Sequence, residues 1–334
     1  MTVTKPSALS ASALEIEWTK NPKTVPGSVS PEVSSLKATT DHMITASWSS
    51  AKGWDAPKLT PYGPIPLLPS ANVLHYGTAC FEGMKVYRGF DGRLRLHRPL
   101  SLGLWVPEEA LLYIFLIYWP SLNPSASPGD EDLKTGIRLL GSSETSVRAW
   151  PGGTGAAKVS ANYGPTIQAH GEARKLGYDQ VLWLFGPDRQ ITEAGSANMF
   201  VIWKTSMGTL EMVTPPLDER KIILAGGTRR SILELSRKMF ASEPTEGDIG
   251  KLEVVEREIT MSEVVKALDE ERLMAAFVVG TAAWIQPVAE ISFDGQTLRL
   301  PVGKVPHVLL LKEKLQAILY GKEAHPLADI IDEE

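Results

Sequence analysis

Apolar and polar positions alternate through "MKVYRGFDGRLRLH", Met84 to His97, and the alternation turns at Asp91-Gly92. Period two broken by Asp-Gly predicts two strands joined by a tight hairpin. A second Asp-Gly pair, in "EISFDGQTLRL" from Glu290, predicts another hairpin. "ALLYIFLIYW" (Ala110 to Trp119), "YDQVLWLF" (Tyr178 to Phe185), "NMFVIW" (Asn198 to Trp203) and "LMAAFVV" (Leu273 to Val279) read as strands, the first and last of them buried. "TRRSILELSRKMF" carries apolar residues at Ile232, Leu235, Met239 and Phe240, which is helical spacing. Thr260 and Glu263 form a capping-box pattern before "VVKAL". A last helix, "HVLLLKEKLQAILYG", should end near Gly321. Strands and helices are mixed without regular βαβ alternation, so the expected class is mixed α/β (α+β).

The first 69 residues are rich in Ser, Pro and Thr, and "PSLNPSASPGDED" (Pro120 to Asp132) has the composition of a linker. A chain of 334 residues exceeds what one small core usually needs. The division expected is a small domain over 1–119, a linker over 120–132 and a larger domain over 133–334.

Net charge narrows the partners. The formal charge is -5 and there is no basic block, which argues against nucleic acid or anionic lipid and for a small molecule. The ten-residue apolar run is too short to span a bilayer. Cys80 is the lone cysteine, so no intrachain disulfide forms and a reducing compartment is expected; packing as a small buried residue is the reading for Cys80 itself. The six histidines lie far apart in sequence and make no metal-ligand motif. The first eighteen residues hold Glu15 and Glu17 and no Arg, unlike a transit peptide, so cytosol is the expected compartment.

The chemistry begins at "RAWPGGTGAAKVSANYGP", Arg148 to Pro165, where Lys158 follows three glycines and two alanines. A solvated surface lysine is the plain reading. The alternative is an amine held in a cleft, able to form a Schiff base. A P-loop is excluded, because Ala157 precedes Lys158 and Val159 follows it. Gly226-Gly227-Thr228 opens a helix, where free N–H groups and the helix dipole favour an anion and Thr228 can serve as cap. "GTAA" from Gly280 follows a buried strand and offers further N–H groups. Glu193, read as lying in a turn between two strands, is a carboxylate for a cationic ring nitrogen or a solvated loop acid. Tyr163, Tyr76 and Phe81 are aromatic candidates for the same ligand or for the core. A Schiff-base lysine, a phenol, a carboxylate and two anion sites are the parts that hold pyridoxal phosphate.

Five segments, "LHYGTACFEGMKVYRG", "VRAWPGGTGAAKVSANYG", "QVLWLFG…QITEAGSANMF", "TPPLD…GGTRRSIL" and "GTAAWIQPV", run in the order and approximate spacing of branched-chain amino acid aminotransferases. From about Asp41 to Gly321 the chain resembles that family of fold-type IV pyridoxal phosphate enzymes. The resemblance implies a small N-terminal α/β domain, a larger C-terminal α/β pseudo-barrel, and commonly a homodimer. It implies that Lys158 is the Schiff-base lysine, Tyr163 the partner of the cofactor's phenolic oxygen and Glu193 the acid at its ring nitrogen. It further implies that Gly227, Thr228 and Thr281 hold the phosphate, and that Tyr76, Phe81, Ser196 and Ala282 line the substrate pocket. The activity implied is transamination of leucine, isoleucine and valine with 2-oxoglutarate.

The chain departs from the family after Leu100. A helix of the type NMDRM, whose Arg holds the phosphate, and a strand of the type YxRP have no counterpart before "SLGLWVPEEALLYIF". The expectation is a complete large domain, an incomplete small one that leaves apolar surface exposed, and weaker cofactor binding. Two other readings stand beside the first: another fold-type IV enzyme, such as a D-amino acid aminotransferase or an aminodeoxychorismate lyase, and a catalytically impaired chain.

Overall fold

The computed structural model describes residues 8–27, 30–35, 37–69, 71, 73–74, 79–97, 109–118, 136–241, 250–282 and 284–331. Tyr76 and the expected linker 120–132 lie outside them. By its contacts the chain forms two compact units, Met1–Ala71 with Gly103–Ser125, and Asn72–Leu102 with Ala126–Glu334. The segment from Asn72 to Leu102 thus differs from the division expected at 120–132, since it falls in the larger unit. The reason is backbone pairing: Cys80 bridges Val159, and the predicted hairpin of β5 (Lys85–Arg88) and β6 (Leu94–His97) takes the C-terminal strand β17 (Asp329–Ile331) as its third strand.

The smaller unit is a sheet of β1 (Glu15–Ile16), β2 (Thr39–Ser49), β3 (Gly53–Trp54), β4 (Lys58–Pro61) and β7 (Glu109–Ile117), with one helical turn, α1 (Pro31–Ser34), between β1 and β2. β7 is the expected strand, but it is not buried: Leu111, Tyr113, Phe115 and Leu116 are exposed. Its one described strand partner is β2, which pairs with an edge of β7 and covers neither of its faces.

In the larger unit, six strands close a ring. They are β8 (Ile137–Gly141), β9 (Gln180–Phe185), β10 (Gln190–Ala194), β11 (Ala197–Lys204), β14 (Leu273–Gly280) and β15 (Trp284–Phe293). The order runs β10-β9-β8-β15-β14-β11, and β11 pairs back with β10. β12 (Leu210–Thr214) and β13 (Leu252–Glu256) extend the sheet from β11, and β16 (Gln296–Arg299) pairs with β15.

β11 shows why its sequence is a continuous apolar run. Phe200 and Ile202 pack in a cluster with Ile232 and Leu235 of α3 (Gly227–Met239) and Leu311, Leu315 and Ile318 of α5 (His307–Leu319). Met199, Val201 and Trp203 pack in a second cluster with Met261, Val264 and Ala267 of α4 (Met261–Asp269). A strand covered on both faces has no polar alternation to show. α2 (Thr166–Lys175) packs on β9 through Ala173, Val181 and Trp183. The capping box forms as expected: the Glu263 N–H donates to Thr260 Oγ1 at 3.3 Å and the Thr260 N–H to Glu263 Oε2 at 3.0 Å. The second hairpin turns at Asp294 and Gly295, both at positive φ.

Candidate active site

Lys158 sits on a segment with little regular structure, so other groups must set its shape. Asn162 is buried and ties this segment together. Its Nδ2 donates to the carbonyls of Thr154 at 2.7 Å and Ala157 at 2.6 Å, and its Oδ1 accepts from Thr154 Oγ1 at 2.6 Å. On the far side of Lys158, the Phe81 N–H donates to the Lys158 carbonyl at 3.0 Å, and the Ser160 N–H to the Ala79 carbonyl at 2.9 Å. The small residues before Lys158 have a steric cause. A Cβ at Gly155 would lie 2.5 Å from Ala149 Cβ and 2.9 Å from Ile222 Cα. Gly155→Ala is expected to shift the loop that carries Lys158 and to lower the melting temperature; an unchanged melting curve with full cofactor loading would contradict this.

The Lys158 ammonium has an aromatic surrounding rather than an adjacent carboxylate. Nζ donates to Tyr163 Oη at 3.3 Å and lies 4.5 Å from the Phe81 ring centroid. The two rings are tilted on each other with centroids 5.1 Å apart. Cys80, beside Phe81, is exposed and not the buried residue expected, because it sits on a lone bridge outside the larger sheet.

Glu193 lies in β10 and not in the turn. The turn is made by Gly195 at φ +59, so the carboxylate projects from a buried strand end and is 2% exposed. Its Oε1 accepts from the Leu224 N–H at 3.0 Å and from Asn198 Nδ2 at 3.2 Å. Its Oε2 accepts from the Arg148 guanidinium, which also donates to the Gly155 carbonyl at 3.0 Å. Burial pushes the Glu193 carboxyl above its ordinary range, against the opposing pull of Arg148, the Leu224 N–H and the Lys158 ammonium. Lys158 and Glu193 are therefore within electrostatic reach. Arg148 was not among the residues expected in the site; the one signal for it was an arginine opening the glycine-rich segment ten positions before Lys158.

The same carboxylate connects to the third part of the site. Asn198 Nδ2 also donates to the Leu224 carbonyl at 2.9 Å, and a Cβ at Gly226 would lie 2.3 Å from Asn198 Oδ1. Gly226 is the residue that enters α3, with no side-chain cap; Gly227 and Thr228 are its first helical residues. Thr228 thus lies two positions after the cap. Its hydroxyl is buried and has no hydrogen-bond partner among the described residues. A buried, unpartnered hydroxyl among the free N–H groups of a helix start fits the phosphate of pyridoxal phosphate.

Thr281 and Ala282 lie in the turn between β14 and β15, after Gly280, whose added Cβ would be 3.6 Å from Ala197 Cβ. Ser196 is exposed in the turn between β10 and β11. The two turns therefore share one end of the ring. Lys158, Tyr163 and Phe81 touch directly; Glu193 is within electrostatic reach of Lys158 and is linked through Asn198 and Leu224 to Gly226, at the start of the helix that carries Gly227 and Thr228. Among the described residues, no hydrogen bond joins Ser196, Thr281 or Ala282 to Lys158, whose Nζ meets Tyr163 and Phe81.

Thr228→Val keeps the shape and removes the unpartnered hydroxyl. Cofactor affinity should fall about tenfold, the loss of one hydrogen bond to a charged group, while the apoprotein melts no lower than wild type. Equal cofactor affinity in the two proteins would remove Thr228 from the phosphate site.

The amino-transferase class IV family matches residues 106–291. The mitochondrial branched-chain-amino-acid aminotransferase of Mus musculus is 34% identical over 380 residues, covering 96% of this chain and 91% of that protein. The cytosolic form from Mus musculus is 35% identical over 342 residues, 85% of this chain and 84% of that protein. The first alignment is longer than the chain of 334 residues, so several dozen positions of that relative have no counterpart here. Among solved structures, the branched-chain amino acid aminotransferase from Thermobaculum terrenum, in its pyridoxal phosphate form, superposes with a TM-score of 0.62 at 17% identity. It covers 89% of this chain and all of that one, which is a likeness of fold.

Proposed function

The chain belongs to the class IV aminotransferases, and from that premise we propose that it exchanges the amino group of leucine, isoleucine and valine with 2-oxoglutarate. The observation that carries the reading is Lys158 Nζ on the Tyr163 hydroxyl, against the Phe81 ring and within electrostatic reach of buried Glu193. The relatives' substrates support the choice of branched-chain acids.

Pyridoxal phosphate, the family's cofactor, supplies when bound an electrophilic carbon for the amine and a ring that takes up electrons from the substrate Cα. The protein's part is to hold and to move protons. Gly227, Thr228 and Thr281 hold the phosphate on this reading, through backbone N–H groups and hydroxyls. Glu193, whose negative charge Arg148 favours against the cost of burial, would hold the proton on the ring nitrogen. Lys158 Nζ would take the proton from the substrate Cα and pass it to the cofactor carbon that carries the nitrogen, and the second half-reaction would run the same transfer in reverse on the keto acid. Tyr163 Oη orients that amine. Phe81, Ser196 and Ala282 line the substrate side, and Tyr76 joins them by its place in the sequence. A homodimer belongs to the same proposal, and sedimentation of the holoprotein should give one species of twice the chain mass.

Nothing among the described residues favours a non-catalytic chain. No helix of the described residues is long and apolar enough to cross a membrane. The test is a coupled assay of the purified holoprotein with leucine, isoleucine, valine, D-alanine and aminodeoxychorismate. Turnover with the three branched-chain L-amino acids is expected. Turnover with D-alanine or lyase activity instead would overturn the reading.

A further inference from the structure

Asn198 performs no chemistry in the transfer, yet it stands between the two ends of the cofactor site. It is the second residue of β11, 5% exposed, and lies opposite Glu193 in the antiparallel register of β10 and β11. Its Nδ2 has two acceptors, Glu193 Oε1 at 3.2 Å and the Leu224 carbonyl at 2.9 Å. The Leu224 N–H donates to the same Glu193 oxygen at 3.0 Å, and the Gly226 N–H donates to the Leu224 carbonyl at 2.9 Å. With Arg148 on Oε2, the two donors on Oε1 fix the plane of the carboxylate.

The other side of the same carboxamide meets the start of α3. A Cβ at Gly226 would lie 2.3 Å from Asn198 Oδ1. Gly226 has φ -67 and ψ 136, a conformation open to any residue, so glycine is needed here for the close approach and not for the backbone. Two residues on is the buried, unpartnered hydroxyl of Thr228. An anion held by that hydroxyl and the free N–H groups of the helix start would fix the lead-in from Leu224 to Gly226, and with it both donors to Glu193 Oε1.

We propose that Asn198 is a positioning residue that couples the phosphate site to the ring-nitrogen acid: an anion at the start of α3 sets the Asn198 carboxamide and the Leu224 N–H on Glu193, and so orders the carboxylate for the cofactor ring. The inference rests on the reading of Thr228 and Glu193 as cofactor residues.

The experiment divides the cofactor into two probes. Pyridoxine supplies the ring without the phosphate, and lacks the aldehyde that would label lysines. Inorganic phosphite supplies the anion and leaves room for the ring's hydroxymethyl group. Calorimetry on the full-length apoprotein gives the Kd of each probe with and without the other at saturation. In wild type, phosphite should lower the Kd of pyridoxine about tenfold, and pyridoxine should lower that of phosphite by the same factor, because coupling between sites is reciprocal. In Asn198→Ser the factor should fall to about two or less. Gly226→Ala displaces Asn198 Oδ1 from the other side while keeping every polar group, and it should lose the coupling too. A merely structural asparagine would lower the melting temperature and leave the factor unchanged in folded protein; that result would overturn the proposal. So would a wild-type factor near one, or a wild-type protein that binds neither probe. Coupling in wild type without turnover of leucine would remove the function reading and leave this proposal standing. Turnover of leucine with a factor near one would remove this proposal alone.

Discussion

Lys158→Ala is expected to abolish amino-group transfer, by on the order of a thousandfold or more, because one side chain both holds the cofactor and moves the Cα proton. The loop should keep its shape, since Asn162, the Phe81 N–H and the Ser160 N–H hold the backbone and none of them uses the Lys158 side chain. The variant should therefore melt near wild type, and Tyr163 and Phe81 should stay packed on each other. Its activity is measured with leucine and 2-oxoglutarate at saturating cofactor. Retention of more than a few per cent of wild-type kcat would assign the proton transfer to another group.

Glu193→Gln should be the second most damaging change. The carboxylate is 2% exposed and faces Arg148, itself buried, so the substitution removes charge from a dry, hydrogen-bonded pair. A charge-assisted contact of this kind contributes roughly 2–4 kcal/mol to a reaction that needs a protonated ring nitrogen, or about thirty- to a thousandfold in kcat. Stability should fall as well, by about 3 kcal/mol, because the Arg148 guanidinium is left buried against a neutral amide. The two effects separate experimentally: kcat is measured on protein that circular dichroism shows to be folded. A folded Glu193→Gln protein with unchanged kcat for leucine would remove Glu193 from the ring-nitrogen role.

The parts of the fold that were legible in the sequence are those where one local rule decides. Asp294-Gly295 marks its hairpin because both residues take positive φ, and Thr260 with Glu263 marks a helix start because each satisfies the other's backbone. Other readings failed where the answer depends on a distant segment. Glu193 looked like a loop acid because "EAGSAN" is rich in small and polar residues; the bend is taken up by Gly195, and β9 and β11 bury the carboxylate from either side. Thr228 looked like a cap because the helix start was placed two residues late. The exposed side chains of β7 were expected to be buried, since an apolar run does not say how many layers will cover it.

The site was legible in its single residues and less so in their connections. Lys158, Tyr163 and Phe81 were each singled out, and they are in contact. Arg148, Asn198 and Leu224 were not, although Asn198 and Leu224 wire Glu193 to the start of α3 and Arg148 ties it to the Gly155 carbonyl. Arg148 stands in a stretch where Lys158 draws the attention, and a leucine contributes here only through its backbone, which no residue type reveals. Asn162 is similar: an asparagine in a small-residue run reads as a turn former, whereas its side chain bonds to residues five and eight positions earlier.

The central claim is that Lys158 is the amine that carries the cofactor. Borohydride reduction of the purified holoprotein, followed by proteolysis and mass spectrometry, tests it without relying on turnover. The account predicts a single phosphopyridoxyl-modified peptide containing Lys158, and no such peptide after preincubation with leucine, which displaces the lysine. Modification at a different lysine would contradict it.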